Sequence, residues 1–447
     1  MTRMIAWLGD DFTGAAAVME ALAFTGLPAV LFLDPPTPAQ LSLFPAAASV
    51  GIAGMARTRS PAWMDAHLPA LFTALRDTGA ALLHYKVCST LDSGPMIGSI
   101  GRAMEIGARL TGAQVVPVVV AAPRMRRYQA FGHLFAGSPQ GVFRLDRHPV
   151  MARHPVTPMT ESDVAAHLAQ QTNMPLGCLD LEALHDPAAV GRVLGDGPVP
   201  RGLTCDMMGP ADEAAVGRMI WQHRGVNPFV VGSQGVEYAL IAHLRATGDL
   251  SDAPPAPGVG KASRMAVVSG SVSPVTADQI GWAGQNGFAT IPFAAEVVCG
   301  DAAGLAGEEA RCLSAAAEAL ARGAVPLIHS AAGPQDAGVA RLMQAAQGRD
   351  MGQVNDAIGA SLGRMLRVLV ADAGVTRVVA SGGDTSGHVT RALDIFALTA
   401  LAPTIPGASL CRAHATGTTD GLEVALKGGQ MGSEDYFGWI REGGGAR

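Results

Sequence analysis

The stretch Met4-Ile5-Ala6-Trp7-Leu8-Gly9-Asp10-Asp11-Phe12-Thr13-Gly14 passes from an apolar run through a glycine to two carboxylates and a hydroxyl, and an alanine-rich segment, Ala15 to Ala23, follows it. Five apolar residues without alternation read as a strand buried on both faces, and the segment after them reads as a helix. The unit is therefore strand, polar loop, helix. The same grammar recurs at Ala29 to Leu33, Ala81 to Tyr85, Val115 to Val120, Phe229 to Val231, Met265 to Val268, Val325 to His329 and Val378 to Ala380. Repeated strand-then-helix units predict an α/β protein with mostly parallel sheets flanked by helices. Open sheets of this kind bind ligands at the carboxyl ends of their strands, so candidate sites concentrate there.

The run Ser251-Asp252-Ala253-Pro254-Pro255-Ala256-Pro257-Gly258-Val259-Gly260 breaks this pattern and reads as a linker. It predicts a first domain over residues 1–250, a linker over 251–263 and a second domain over 264–440, with a cleft between the two lobes. A chain of 447 residues has room for both. Only 16% of residues are charged and the net charge is -6, which gives nucleic acid no electrostatic handle. The six cysteines form no C-x-x-C pair, so neither a zinc site nor a disulfide framework is indicated. The apolar start is too short for a signal peptide or a spanning helix, and the protein is expected to be soluble and cytoplasmic, with no membrane partner. The tail Gly443 to Arg447 is expected to fray.

Several strand ends carry chemistry. Asp10 and Asp11, with Thr13, can hold a cation, accept a hydroxyl proton or bind sugar hydroxyls; one of them can equally cap the following helix. Tyr85-Lys86-Val87-Cys88-Ser89-Thr90-Leu91-Asp92-Ser93 places a lysine before hydroxyls and a carboxylate, a set that suits a small anionic polyhydroxylated ligand, though Ser89 or Asp92 can instead cap a helix after Pro95. Between Arg124 and Glu161 basic and imidazole groups gather in a loop-rich insertion, and Arg124, His133 and His154 are the candidates there for gripping an anion. Thr160 is assigned a helix-capping duty beside any contact with ligand. Gln234, in Gly232-Ser233-Gln234-Gly235, can present an amide to a ligand or simply sit in a turn.

Beyond the linker, three glycine-hydroxyl loops follow apolar runs: Ser269-Gly270-Ser271-Val272-Ser273, Ser381-Gly382-Gly383-Asp384-Thr385-Ser386-Gly387 and Lys427-Gly428-Gly429-Gln430-Met431-Gly432-Ser433. Glycines let backbone N–H groups close on phosphate oxygens, hydroxyls add donors, and a helix start adds positive potential. Asp384 adds a carboxylate for Mg²⁺. No G-x-x-x-x-G-K-[ST], no G-x-G-x-x-G in the first unit, no G-x-S-x-G and no H-E-x-x-H occurs. Phosphate loops in one lobe and an acid/base cluster in the other point to phosphoryl transfer.

These motifs, in this order and together with Gly132-His133-Leu134-Phe135 and His154-Pro155-Val156-Thr157-Pro158-Met159-Thr160, resemble the four-carbon acid sugar kinase family over essentially the whole chain. The resemblance implies an ATP-dependent kinase acting on threonate, erythronate, 3-oxo-tetronate or a related sugar acid, with a substrate domain first and a nucleotide domain second. It implies that Ser269, Gly270, Ser271, Ser273, Gly382, Gly383, Asp384, Thr385, Gly429 and Gly432 serve ATP. The sugar acid falls to Asp11, Thr13, Lys86, Thr90, Arg124, His133, His154, Thr160 and Gln234, with Asp10 or Asp92 handling the attacking hydroxyl. No metal ligand is assigned, and a homo-oligomer is admitted. Two departures stand out. Asp384 replaces a glutamate common in the family, and the segments Ala121 to His133 and Arg144 to Pro149 differ from those of tetronate kinases. They point to a subgroup acting on a branched or oxidised acid such as 3-oxo-isoapionate. The rival readings are a sugar-acid or nucleotide-binding protein without catalysis and, from the α/β pattern alone, a dinucleotide oxidoreductase.

Overall fold

The computed structural model describes residues 3–154 and 156–447, so Pro155 of the His154 motif lies outside the described residues. The chain divides into two compact units, the first ending at Pro254 and the second running from Pro255 to Arg447.

The first unit contains strands β1 (Ile5–Gly9), β2 (Ala29–Phe32), β3 (Ser49–Ile52), β4 (Leu82–Lys86), β5 (Val115–Val119), β6 (Arg127–Ala130), β7 (His133–Ser138), β8 (Gly141–Arg144), β9 (Leu176–Leu179), β10 (Arg201–Cys205) and β11 (Phe229–Gly232). Eight of them form a parallel sheet in the order β2-β3-β1-β4-β11-β5-β10-β9. Its central strands are buried along their length, as their continuous apolar runs require. From β1 the chain winds outward to β2 and back to β3, then crosses to β4 on the other side. The winding direction thus reverses between β1 and β4, the point where open sheets of this kind form their ligand crevice. The first helix begins at Phe12, earlier than its alanine run suggests, because the Asp11 carboxylate caps it by accepting from Gly14 N at 2.9 Å.

Two capping expectations change. The helix after Pro95 begins at Ile100 with Ser99 as its cap, so neither Ser89 nor Asp92 serves that end. Asp163, and not Thr160, caps the helix Val164–Ala169. The basic insertion is also more regular than expected: β6, β7 and β8 form a small antiparallel sheet. Its β6–β7 turn is held by the buried Asp206 carboxylate, which accepts from Gln129 Nε2 at 3.1 Å, from Gly132 N at 3.0 Å and from Phe131 N.

The second unit contains β12 (Met265–Ser269), β13 (Phe288–Pro292), β14 (Val325–His329), β15 (Arg377–Ser381), β16 (Ile395–Ala402), β17 (Leu410–Ala415) and β18 (Glu423–Lys427) in the order β13-β14-β12-β15-β18-β17-β16. All pairs are parallel except those of β17. Met265, Val267, Leu327 and Val379 pack on one face against Ile280, Ala283, Phe437 and Ile440 of two helices. The tail is pinned rather than frayed: Gly445 N donates to the Pro403 carbonyl at 2.8 Å and Arg447 pairs with Asp435 at 2.6 Å. All six cysteines are free thiols, and no helix among the described residues is long and apolar enough to cross a membrane.

Candidate functional site

In the first unit the reversal between β1 and β4 carries an ion cluster. Asp10 directly follows β1 and is 3% exposed; Lys86 ends β4 and is also buried. Arg57, from a turn after β3, joins them. Its Nε and Nη2 donate to Asp10 at 3.0 and 2.6 Å, and its Nη1 and Nη2 donate to Asp11 at 2.9 and 2.7 Å. One guanidinium therefore holds both carboxylates of the opening motif. Lys86 Nζ donates to the Val87 carbonyl at 2.7 Å. Gly14 gives the cluster its room, because a Cβ there would lie 2.5 Å from Asp11 Oδ1 and 3.1 Å from Lys86 Nζ. Burial raises the Asp10 pKa despite the opposing pull of Arg57. A carboxylate so shifted is a better proton acceptor than an exposed one.

The β4 loop continues the site. Thr90 Oγ1 donates to Asp92 at 2.9 Å and lies 3.0 Å from Cys88 Sγ. Leu91 between them holds a left-handed φ of 55°. Burial, then the Asp92 charge, raise the Cys88 pKa, with Arg57 and Lys86 opposing. Next to this loop a cavity of about 230 Å³ is lined by Ser93, Thr157, Thr160, His167 and Gln171 among others. Thr160 is exposed on its wall. His167 Nε2 meets Ser93 Oγ at 3.0 Å, and burial brings its pKa down to about 4, so the ring is neutral at pH 7.

The remaining sequence candidates of this unit are placed less centrally. Arg124 is bound to the buried Glu213 carboxylate at 2.8 Å and stacks on Tyr238 at 5.0 Å, so its charge is already matched. His133 Nδ1 meets Ser162 Oγ at 3.0 Å, and His154 Nδ1 accepts from Thr157 N at 3.1 Å. Thr13 lies half-buried in the first turn of helix Phe12–Ala23, and Gln234 is buried at the start of helix Gly235–Ala246.

In the second unit the reversal lies between β12 and β15, and the three glycine-hydroxyl loops meet there. Ser269, Ser381 and Lys427 are register partners at the ends of β12, β15 and β18. Gly270 N donates to the Ser381 carbonyl at 3.0 Å. Ser273 caps helix Pro274–Gln285 and donates to the Gly429 carbonyl at 2.5 Å, while Thr276 Oγ1 reaches the same carbonyl at 2.9 Å and Ser271 Oγ at 3.1 Å. Gly382 holds a φ of 121°, where a side chain is strained, and a Cβ there would also lie 2.8 Å from Thr385 Oγ1. Gly383 and Asp384 are exposed on the first turn of helix Gly383–Ala392, whereas Thr385 is buried behind them. Gly429 lies against Ser271, and Gly432 turns with a φ of 93°. Ser269 and Ser381 are sealed, and neither hydroxyl has a partner.

Two residues of these clusters escaped the sequence reading. Arg57 lies 47 positions from Asp10 and only the pairing of β3 with β1 brings it there. Lys427 was read as part of a loop, yet it is buried, donates to the Gly428 carbonyl at 3.0 Å, and has a pKa pushed down to about 8 by burial. Among the described residues no group of three or more His, Cys, Asp or Glu side chains could hold a metal. Asp384 is the carboxylate exposed at the glycine loops.

Residues 5–240 match the model of a sugar-binding N-terminal domain, and residues 266–437 that of a nucleotide-binding C-terminal domain. The chain belongs to the four-carbon acid sugar kinase family. It is 44% identical to a 3-oxo-isoapionate kinase of Paraburkholderia graminis, over 98% of this chain and 94% of that one. It is 31% identical to a 3-oxo-tetronate kinase of Methylobacterium radiotolerans, over 98% of each. A solved structure from Salmonella typhimurium LT2, provisionally described as a tRNA synthase, superposes with a TM-score of 0.78 at 25% identity, over 99% of this chain and 98% of that one. The fold class and the kinase reading drawn from the sequence motifs agree with these likenesses.

Proposed function

We propose that this kinase transfers the γ-phosphoryl group of ATP to a hydroxyl of 3-oxo-isoapionate or a closely related branched sugar acid. The observation that carries the reading is the Asp10–Arg57–Asp11 cluster with Lys86 at the reversal of the sugar-binding unit, combined with 44% identity to a kinase of that name. In this reading Asp10 accepts the proton of the attacking hydroxyl while the new O–P bond forms and the bond to the leaving ADP breaks. Arg57 fixes the Asp10 carboxylate plane, and Asp11 shares that guanidinium while capping the helix. Asp92, oriented by Thr90, binds a further hydroxyl.

On the nucleotide side the backbone N–H groups around Ser271, Gly383 and Gly429 face the phosphates, and Lys427 adds a point charge near them. Mg²⁺ would be held by phosphate oxygens, water and Asp384, and it would neutralise charge building on the phosphoryl oxygens. The deciding experiment is ADP release with purified protein across C4 to C6 sugar acids, including 3-oxo and branched forms, followed by location of the phosphate on the product. The expected result is the highest kcat/KM with 3-oxo-isoapionate. Release with none of the acids would leave a binding protein, and preference for a linear tetronate would correct the substrate.

A further inference from the structure

The three arginines of the β5–β6 connection have different surroundings. Arg124 is paired with Glu213, and the exposed Arg126 reaches the Ser138 carbonyl at 3.0 Å. Arg127 opens β6 and is half-buried. Its Nη1 donates to the carbonyls of Met125, Arg126 and Gly137 at 3.1, 3.3 and 3.3 Å. Those acceptors are neutral. Among the described residues no carboxylate pairs with Arg127, and its Nε is buried with no partner. The Asp92 carboxylate of the β4 loop and the neighbouring Arg126 are the charges that act on it. Arg127 N donates to the Ala122 carbonyl at 3.2 Å just beyond β5, which sets it at the same carboxyl edge of the sheet as Asp10 and Lys86.

A guanidinium partly withdrawn from water and left without an anion is costly, and this burial lowers the Arg127 pKa. Its planar fork matches a carboxylate in two parallel hydrogen bonds. We propose that Arg127 anchors the carboxylate of the sugar acid and so makes this kinase select acids over neutral sugars. The proposal rests on the sugar-acid kinase reading. It replaces Arg124, whose charge is matched by Glu213, as the arginine of that contact.

The test compares 3-oxo-isoapionate with its carboxamide in wild type, Arg127→Gln and Arg127→Lys, with folding followed by thermal unfolding. Loss of a charge-assisted pair predicts that Arg127→Gln raises KM for the acid about 30-fold while kcat stays within about 3-fold. KM for the carboxamide should barely move, so the preference of wild type for the acid collapses. Arg127→Lys keeps the charge but not the fork, and an intermediate rise of about 5-fold is expected. An unchanged KM for the acid in either folded variant overturns the proposal. So does an equal loss for acid and carboxamide, which marks a structural role, or failure of both variants to fold. If wild type releases ADP with no sugar acid, the kinase reading itself has failed; if wild type is active on the acid and Arg127→Gln keeps the preference, only the anchor has.

Discussion

The two units wind their strands in the same order. In the first, β1 has β3 and then β2 on one side and β4 on the other; in the second, β12 has β14 and then β13 on one side and β15 on the other. The crevice falls at the same place in both, and its contents differ. The first holds Asp10, Asp11, Arg57 and Lys86, with Asp10 and Lys86 buried. The second holds hydroxyls, glycines and a single buried lysine. Topology decides where a ligand binds, and the residues at the strand ends decide which ligand. A small acid needs matched charges and a proton acceptor. A triphosphate needs many amide donors and space, which glycine supplies.

If this division is real, damage to one crevice should leave the other intact. The largest effect is expected from Asp10→Asn, which should lower kcat/KM by about a thousandfold for loss of the proton acceptor, with ADP affinity by calorimetry unchanged. A matching loss of ADP affinity would break the comparison. Acid tests the first unit through His167. Its folded pKa of about 4 lies below the unfolded value near 6.5, so the unfolded chain binds the proton first. Stability should then be present above pH 6.5 and be lost as pH falls toward 4, by about 3 kcal/mol for this group. Denaturant midpoints across that window should fall, and His167→Gln should flatten part of the fall. His148 and His243 in the same unit, and His329 and His414 in the second, add to the fall, since burial lowers their pKa values too.

A pair of glycine substitutions sharpens the contrast. Gly14→Ala pushes a methyl group toward Asp11 and Lys86 and should raise KM for the sugar acid; Gly382→Ala combines strain with a clash at Thr385 and should raise KM for ATP. About tenfold is expected in each case, and an effect on the wrong substrate would show that the crevices are not independent. The smallest effect is a proton. With its pKa at about 8, Lys427 is partly deprotonated at pH 8.5, and a phosphate nearby raises that pKa. Nucleotide binding at pH 8.5 should take up a fraction of a proton, read as a dependence of calorimetric heat on buffer, and Lys427→Met should abolish it.

Much was legible in the chain itself. Uninterrupted apolar runs such as Ile5–Gly9 and Met265–Ser269 can be stable only as strands covered on both faces, and polar residues at their exits must then lie at a sheet edge. That local logic carried Asp10, Lys86 and the three glycine loops to strand ends. Pairing between distant segments was not legible. Arg57 shows no local signature, because its role depends on β3 lying beside β1. Arg124 and Arg127 look alike in sequence, and only packing gives the first a carboxylate in helix Pro210–His223 and denies one to the second. The sequence by itself determined the elements, their exits and the residue types available for chemistry, since these follow from neighbouring residues. Only the tertiary structure decided which charges are matched, because the partner of a buried charge is fixed by strand order and burial.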